Sequence, residues 1–143
     1  MKKNDQNTNA FLIHISAFAG FVFPFGHIIT PLIAWQTLKD RSPFLDEQGK
    51  EAVNFNLSYT LYSFILTLAL IPLAIGTFFT NFNNFDTFNL NLNLNIPNMS
   101  GFIGIGAVSG ILYVAGIALV IIAAIKAKEG ENYNYPFTIK FIK

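Results

Sequence analysis

Polar and apolar positions divide this chain into long uncharged runs separated by short charged stretches. The third run shows the pattern best. It opens on Asp46, Glu47, Lys50 and Glu51, passes Asn54 and Asn56, and is then uncharged from Leu57 to Gly76. Roughly 20 such residues at 1.5 Å rise cover about 30 Å, the hydrocarbon thickness of a bilayer. The pattern predicts a membrane helix over about 47–76 standing on a polar foot. A second uncharged run, Gly101 to Ile125, predicts a helix over about 101–127, stopped by Lys126 and Lys128 and ended by Gly130. Ala10 to Leu38 is almost wholly apolar but is interrupted at Pro24 and Gly26. Proline removes a donor and pushes its predecessor out of the helical region, and glycine relieves a turn. Two helices follow, about 10–23 and 27–38, with a hairpin turn at Pro24 and Gly26. Each is short for a full span, so the pair either crosses as two thin helices or re-enters.

Between the two long runs, residues 77–100 read as a loop. Asn89 to Ile96 alternates Asn with Leu or Ile, and that period of two predicts a small β-like segment with one apolar face. Residues 1–9 lack periodicity and read as a disordered tail. A cleaved signal sequence is disfavoured, because the apolar stretch before Ala17-Phe18-Ala19 is short and contains His14. The closing residues, 128–143, read as a tail on the same side as the foot. Tyr133, Tyr135 and Phe137 would lie at headgroup level, and the last residues would form a short strand or an interfacial segment.

Charge gives the orientation. Only 12% of the 143 residues are charged, well below the ~25% of a soluble domain, and lipid is the simplest solvent that explains the deficit. All nine basic residues fall in the tails and in the 39–50 loop, whereas 77–100 holds Asp86 as its one charge. Positive residues beside membrane helices stay in the cytoplasm, so both termini are expected inside and 77–100 outside.

Candidate chemistry is sparse. There is no cysteine, and His14 and His27 are the two histidines. They lie near opposite ends of the first helix pair, so no shared metal site is expected. No nucleophile–base pair, paired carboxylate or phosphate-binding glycine loop stands out, so no enzyme activity or cofactor is expected. The bases are dispersed among acids, which argues against nucleic acid as a partner. Two constellations remain. Asn56, Thr60, Ser63 and Thr67 share one helical face, a stripe suited to close packing or to lining a polar path. Gly106 and Gly110 form a close-approach step whose expected partner is that stripe. The second constellation is the mixed charge at the foot: Asp46, Glu47, Lys50, Glu51 and Asn54, a candidate docking surface for another membrane protein.

Three stretches resemble the Tic20-like family, called DUF4870 in bacteria. His14-Ile15-Ser16-Ala17-Phe18-Ala19-Gly20 with Pro24, Gly26, Pro31, Trp35 and Lys39 is similar to its opening. Ser42-Pro43-Phe44-Leu45-Asp46 and Gly49-Lys50-Glu51-Ala52-Val53-Asn54-Phe55 resemble its central motif. Ala123 to Ala127, Gly130, Tyr133 to Pro136 and Ile139 to Phe141 resemble its ending, while the long 77–100 segment departs from it. The resemblance implies a small multi-pass protein of the bacterial inner membrane, with translocation only by analogy. The expectation is therefore a single all-α membrane domain of four helices over residues 10–143. It would act as a non-enzymatic accessory or assembly subunit, or alternatively as a small channel or transporter using the polar stripe. Its expected partners are the bilayer and other membrane proteins.

Overall fold

The computed structural model describes residues 2–82 and 96–143, without the side chains of residues 73, 77–82, 96–102 and 105. It is all-α. Helix α1 (Lys3–Ile15) continues into a 3-10 segment (Ser16–Phe21), and α2 (Gly26–Leu38) returns beside it. A short 3-10 turn (Lys39–Arg41) leads to α3 (Pro43–Phe82), and α4 (Ile96–Glu129) precedes an irregular C-terminal segment. No strand occurs among the described residues. Among the described residues two helices, Pro43–Gly76 and Gly106–Glu129, are long and apolar enough to cross a membrane.

Several boundaries differ from the sequence reading. Residues from Lys3 onward are helical, not a loose tail, because their polar side chains have work at the foot. Gln6 donates to Ser42 Oγ, and Asn7 donates to the Lys128 carbonyl at 3.1 Å. The latter bond meets one of the carbonyls that a helix end leaves open. Lys128 in turn lies over the Phe11 ring, 5.2 Å from its centroid. Ser42-Pro43 starts a helix: the Ser42 hydroxyl accepts the Leu45 N–H at 3.2 Å, and Pro43 occupies the first helical position, where its missing donor costs nothing. At the other end α3 runs to Phe82 and α4 opens at Ile96, so helix takes up both edges of the predicted 77–100 loop. Pro97 fits the first turn of α4. Residues 83–95, with most of the Asn-alternating segment, lie outside the described residues.

The chain divides into two compact units. One comprises Met1–Leu61 and Ala115–Lys143, the other Tyr62–Val114. In the second, Phe64, Ile65, Leu68 and Ile71 of α3 and Ile103, Val108 and Ile111 of α4 are exposed, the surface expected of helices solvated by lipid. The first holds the foot and its core. Ala10 and Ile13 of α1 meet Leu45 and Ala52 of α3 and Ala127 of α4, all nearly inaccessible. A second cluster joins Ala17, Phe55, Val120, Ala123 and Tyr135. The small residues let three helices and the tail meet in one layer. Leu45 and Ile13 lie below the apolar run that begins at Leu57, so their burial is from water and is worth about 2 kcal/mol each.

Glycine sets the two closest approaches in this unit, one at the foot and one at the hairpin turn. A Cβ at Gly49 would stand 2.1 Å from Trp35 Cδ1, so the indole lies directly on the α3 backbone. A Cβ at Gly26 would strike the Ala19 carbonyl at 2.4 Å. The hairpin's left-handed residue is Phe25 (φ 60°), so Gly26 serves close approach and not the turn itself. The helix-ending role of Gly130 rests on its φ of 82° and on Glu131 N–H donating to the Lys126 carbonyl at 3.0 Å, which closes α4 with a left-handed cap.

Trp35 is the sole tryptophan, which makes this contact measurable. Gly49→Ala is expected to displace the indole and lower stability in detergent by about 1–3 kcal/mol despite the better helix propensity of alanine. Trp35 emission should shift to the red. Unchanged emission and unfolding midpoint would show that the indole does not lie on α3.

Candidate functional site

The foot brings together residues that are far apart in sequence. His14 of α1, Gln48 of α3, and Asn132 and Tyr135 of the tail form one hydrogen-bonded chain that ends at Glu47. Tyr135 O lies 2.9 Å from His14 Nδ1, and His14 Nε2 lies 2.8 Å from Gln48 Oε1. Gln48 Nε2 donates to Asn132 Oδ1 at 3.0 Å, and Asn132 Nδ2 donates to Glu47 Oε2 at 2.8 Å.

The direction of every bond follows from its exposed end. A carboxylate only accepts, so Asn132 presents its nitrogen to Glu47 and its oxygen to Gln48. Gln48 then presents its own oxygen to His14, so Nε2 carries the imidazole proton and Nδ1 accepts from the Tyr135 hydroxyl. Inside, His14 and Gln48 are fully buried and Tyr135 nearly so. Burial holds the His14 imidazole down to about 4, opposed by its bond to Gln48, and pushes the Tyr135 phenol above its ordinary value. Both groups are neutral at pH 7. Phe55 stacks on the Tyr135 ring, with centroids 4.0 Å apart and planes at 12°, and Tyr133 meets it edge-on.

The tail continues along α3. The Asn54 side chain binds the Ile142 backbone twice, its Nδ2 donating to the carbonyl and its Oδ1 accepting the N–H, each at 2.9 Å. It pairs with the tail as a neighbouring strand would. One turn on, Ser58 Oγ accepts the Ile139 N–H at 2.8 Å and donates to the Asn54 carbonyl at 2.7 Å. Lys140 approaches Glu51 at 3.5 Å. The segment expected to be a short strand or an interfacial run is thus irregular, with backbone groups bonded to α3 side chains. Tyr135, expected at headgroup level, is core, whereas Phe137 is exposed.

The docking candidates separate into two groups. Glu47 is exposed at the end of the chain just described. Asp46 accepts from Trp35 Nε1 at 2.8 Å and pairs with Lys50 at 2.6 Å. Glu51 and Asn54 are buried, and what they bind is the protein's own tail. The stripe residues also separate. Asn56 is buried with its amide on the Ala52 carbonyl, and Thr60 donates to the Asn56 carbonyl while accepting from His27 Nε2 at 2.8 Å. Thr67 is exposed and donates to the Ser63 carbonyl. Hydroxyls returned to the preceding turn bend and satisfy their own helix. A Cβ at Gly106 or Gly110 would meet nothing within 4 Å, so the expected close approach is not made at that step. It is made at Gly116, where a Cβ would stand 2.8 Å from the Tyr59 ring. At the hairpin turn Pro24 is exposed and Gly26 buried.

Sequence reasoning did not single out Gln48, Asn132 or Ser58, and it gave Tyr135 the wrong surroundings. A glutamine six residues before an asparagine on a helix foot was the only local sign. Among the described residues no group of three His, Cys, Asp or Glu is placed to hold a metal ion.

Two outcomes follow. A base whose folded value is lowered contributes stability that is complete above pH 6.5 and is lost as the pH falls towards 4, because the unfolded chain takes up the proton first. The protein in detergent should lose about 3 kcal/mol across that window, seen as a falling unfolding midpoint, and His14→Gln should flatten the slope. An equal slope in the variant would remove His14 from the account. Asn54→Leu strands two backbone groups of the tail and should cost about 1–3 kcal/mol. It should also make residues 137–143 a substrate for carboxypeptidase, and a tail that stays protected would contradict the pairing.

Comparison with known proteins settles the lineage. Neither a curated relative nor a solved structure matches the chain. A family model, MamF_MmsF, described as the magnetosome magnetite crystal formation protein family, matches residues 5–142. That match overturns the Tic20-like assignment. The residues behind the earlier resemblance, among them Gly49 and Asn54 at the foot and Gly26 at the hairpin turn, are packing residues, and packing residues do not distinguish one small helical membrane family from another. The chain belongs to the MamF/MmsF family, the magnetosome magnetite crystal formation proteins.

Proposed function

We propose that this protein serves magnetite crystal formation as a non-enzymatic accessory or assembly subunit of a membrane complex. It is a membrane protein of a family named for that process. The observation that carries the finer reading is how the foot uses its polar groups. Both nitrogens of His14 are bonded, Gln48 and Asn132 relay to Glu47, and Asn54, Ser58 and Glu51 hold the tail. Such a network fixes a shape. What it leaves to solvent is a mixed surface of Glu47, Asn132 and the Asp46–Lys50 pair, suited to recognising a complementary charged surface on another membrane protein.

Orientation belongs to the same reading. Lys2, Lys3, Lys39, Arg41, Lys126, Lys128, Lys140 and Lys143 join Lys50 at the foot end of the sequence pattern, which favours both termini on the cytoplasmic side. α3 and α4 then cross the bilayer as a pair.

Purification from native membranes in mild detergent tests the proposal. A membrane protein should co-purify, and Glu47→Lys should reduce its recovery at least about tenfold, since a like charge placed in a contact costs several kcal/mol. Trp35 emission would confirm that the variant keeps its fold. A monomer without companions, or recovery indifferent to Glu47, would refute the docking role.

A further inference from the structure

The α1–α2 hairpin carries an apolar tip that the rest of its unit leaves uncovered. Phe21, Val22, Phe23 and Phe25 are exposed, Val22 to 84% and Phe25 to 63%. Ile29 and Ile33 continue the exposed face down α2, and Leu12 continues it down α1. No charged residue occurs between Asp5 and Lys39. At the open end the picture reverses, with Lys2 and Lys3 at the start of α1 and Lys39 and Arg41 after α2.

Length decides between crossing and returning. Helix α2 has 13 residues, about 20 Å at 1.5 Å each, against about 30 Å of hydrocarbon. Its depth is fixed by two contacts with α3. Near the base, Trp35 binds Asp46. Near the tip, His27 binds Thr60. On α3 the last charge is Glu51, but the tail carries charge higher, since Ser58 holds the Ile139 N–H beside Lys140. From Ser58 to Thr60 is about 3 Å of helix, and the turn beyond His27 adds a few ångströms. The tip therefore lies beyond the charged level but within the nearer leaflet, well short of the far side.

Most of the turn's backbone donors are satisfied within it. An exposed backbone donor in hydrocarbon costs several kcal/mol. Val22 and Phe23 N–H both reach the Ala19 carbonyl, at 3.0 and 3.2 Å, and Pro24 has no donor. Gly26 N–H reaches the Phe23 carbonyl at 3.1 Å, and Ile28 and Ile29 N–H both reach that of Phe25. The left-handed Phe25 makes this closure possible, and its ring is turned outward.

We propose that the hairpin is a re-entrant wedge. Its tip is solvated by the phospholipid acyl chains of the single leaflet on the foot side, and Lys2, Lys3, Lys39 and Arg41 lie among that leaflet's headgroups. It buries an apolar tip without crossing the membrane.

The chain has no cysteine, so single-site labelling is direct. Val22→Cys, at a side chain that touches little, takes an environment-sensitive fluorophore, and the purified protein is reconstituted in phosphatidylcholine–phosphatidylglycerol vesicles. Asp40→Cys is the control at the base. Trp35 emission checks the fold, and Phe21→Cys is the second tip variant should the first misfold. The wedge requires severalfold stronger quenching at position 22 by nitroxides on the lipid chains than by an aqueous quencher on either side, with the reverse at position 40. Aqueous quenching of the tip from the foot side would show that the hairpin lies outside the bilayer. Quenching from the far side would show that it spans. A tip shielded from both water and lipid nitroxides would show that a second copy of the chain covers it. Each of these three results overturns the proposal.

Discussion

A neutral imidazole buried where three segments meet is the constraint on which the foot depends. His14 sits between α1, α3 and the tail, and neither nitrogen is free. An unpaired buried polar atom costs about 1–3 kcal/mol, so each partner of His14 is held as firmly as the ring itself. Because Glu47 only accepts, the polarity of the whole chain is set from its solvent end, and each inner group has one acceptable orientation. This is why α1, α3 and the start of the tail are fixed against one another at His14. Removing any one of them would leave a polar atom facing an apolar layer of alanines, Ile13 and Phe55.

Above the foot the physical problem changes. Lipid gives helices no hydrophobic reason to associate, so polar groups there must be satisfied close at hand and surfaces must be smooth or apolar. Thr60 and Thr67 return their hydroxyls to the preceding turn, and Thr60 also receives His27. Gly116 admits the Tyr59 ring. The hydroxyl returns are local solutions. Apart from His27 to Thr60, the long-range bonds described here, from Gln6 to Ser42 up to Asn54 to Ile142, lie at or next to the foot. Specificity of fold is thus concentrated in roughly one layer, and the two apolar helices leave it with little further instruction.

The elements were legible to the extent that they follow from hydropathy. Runs of uncharged residues long enough to cross a bilayer announce helices, and the four-helix, all-α reading rests on nothing subtler. Boundaries were harder, for a specific reason. Ser42-Pro43 is chemically both a turn and a helix start, and the outcome depends on whether the next N–H finds the serine oxygen. Lys3 to Asn9 has the composition of a loose tail, and it becomes helix because Gln6 and Asn7 have partners 36 and 121 positions away. No window of local sequence contains those partners.

The site was less legible than the fold because its parts recur at no fixed spacing. Glu47 and Asn54 stood out as polar residues on a foot, yet one faces water and the other faces the tail, and burial rather than residue type separates them. Tyr135 looked like an interfacial aromatic because tyrosine is suited to both places, with an apolar ring and one polar atom. What decided its place was Phe55 beneath the ring and His14 beside the hydroxyl. The same reasoning explains the misleading resemblance. A tryptophan laid on a glycine, a proline–glycine hairpin and an asparagine that holds a tail are solutions to packing helices at a membrane surface. Any lineage facing that problem is free to use them, so such residues report the architecture strongly and the biological process hardly at all.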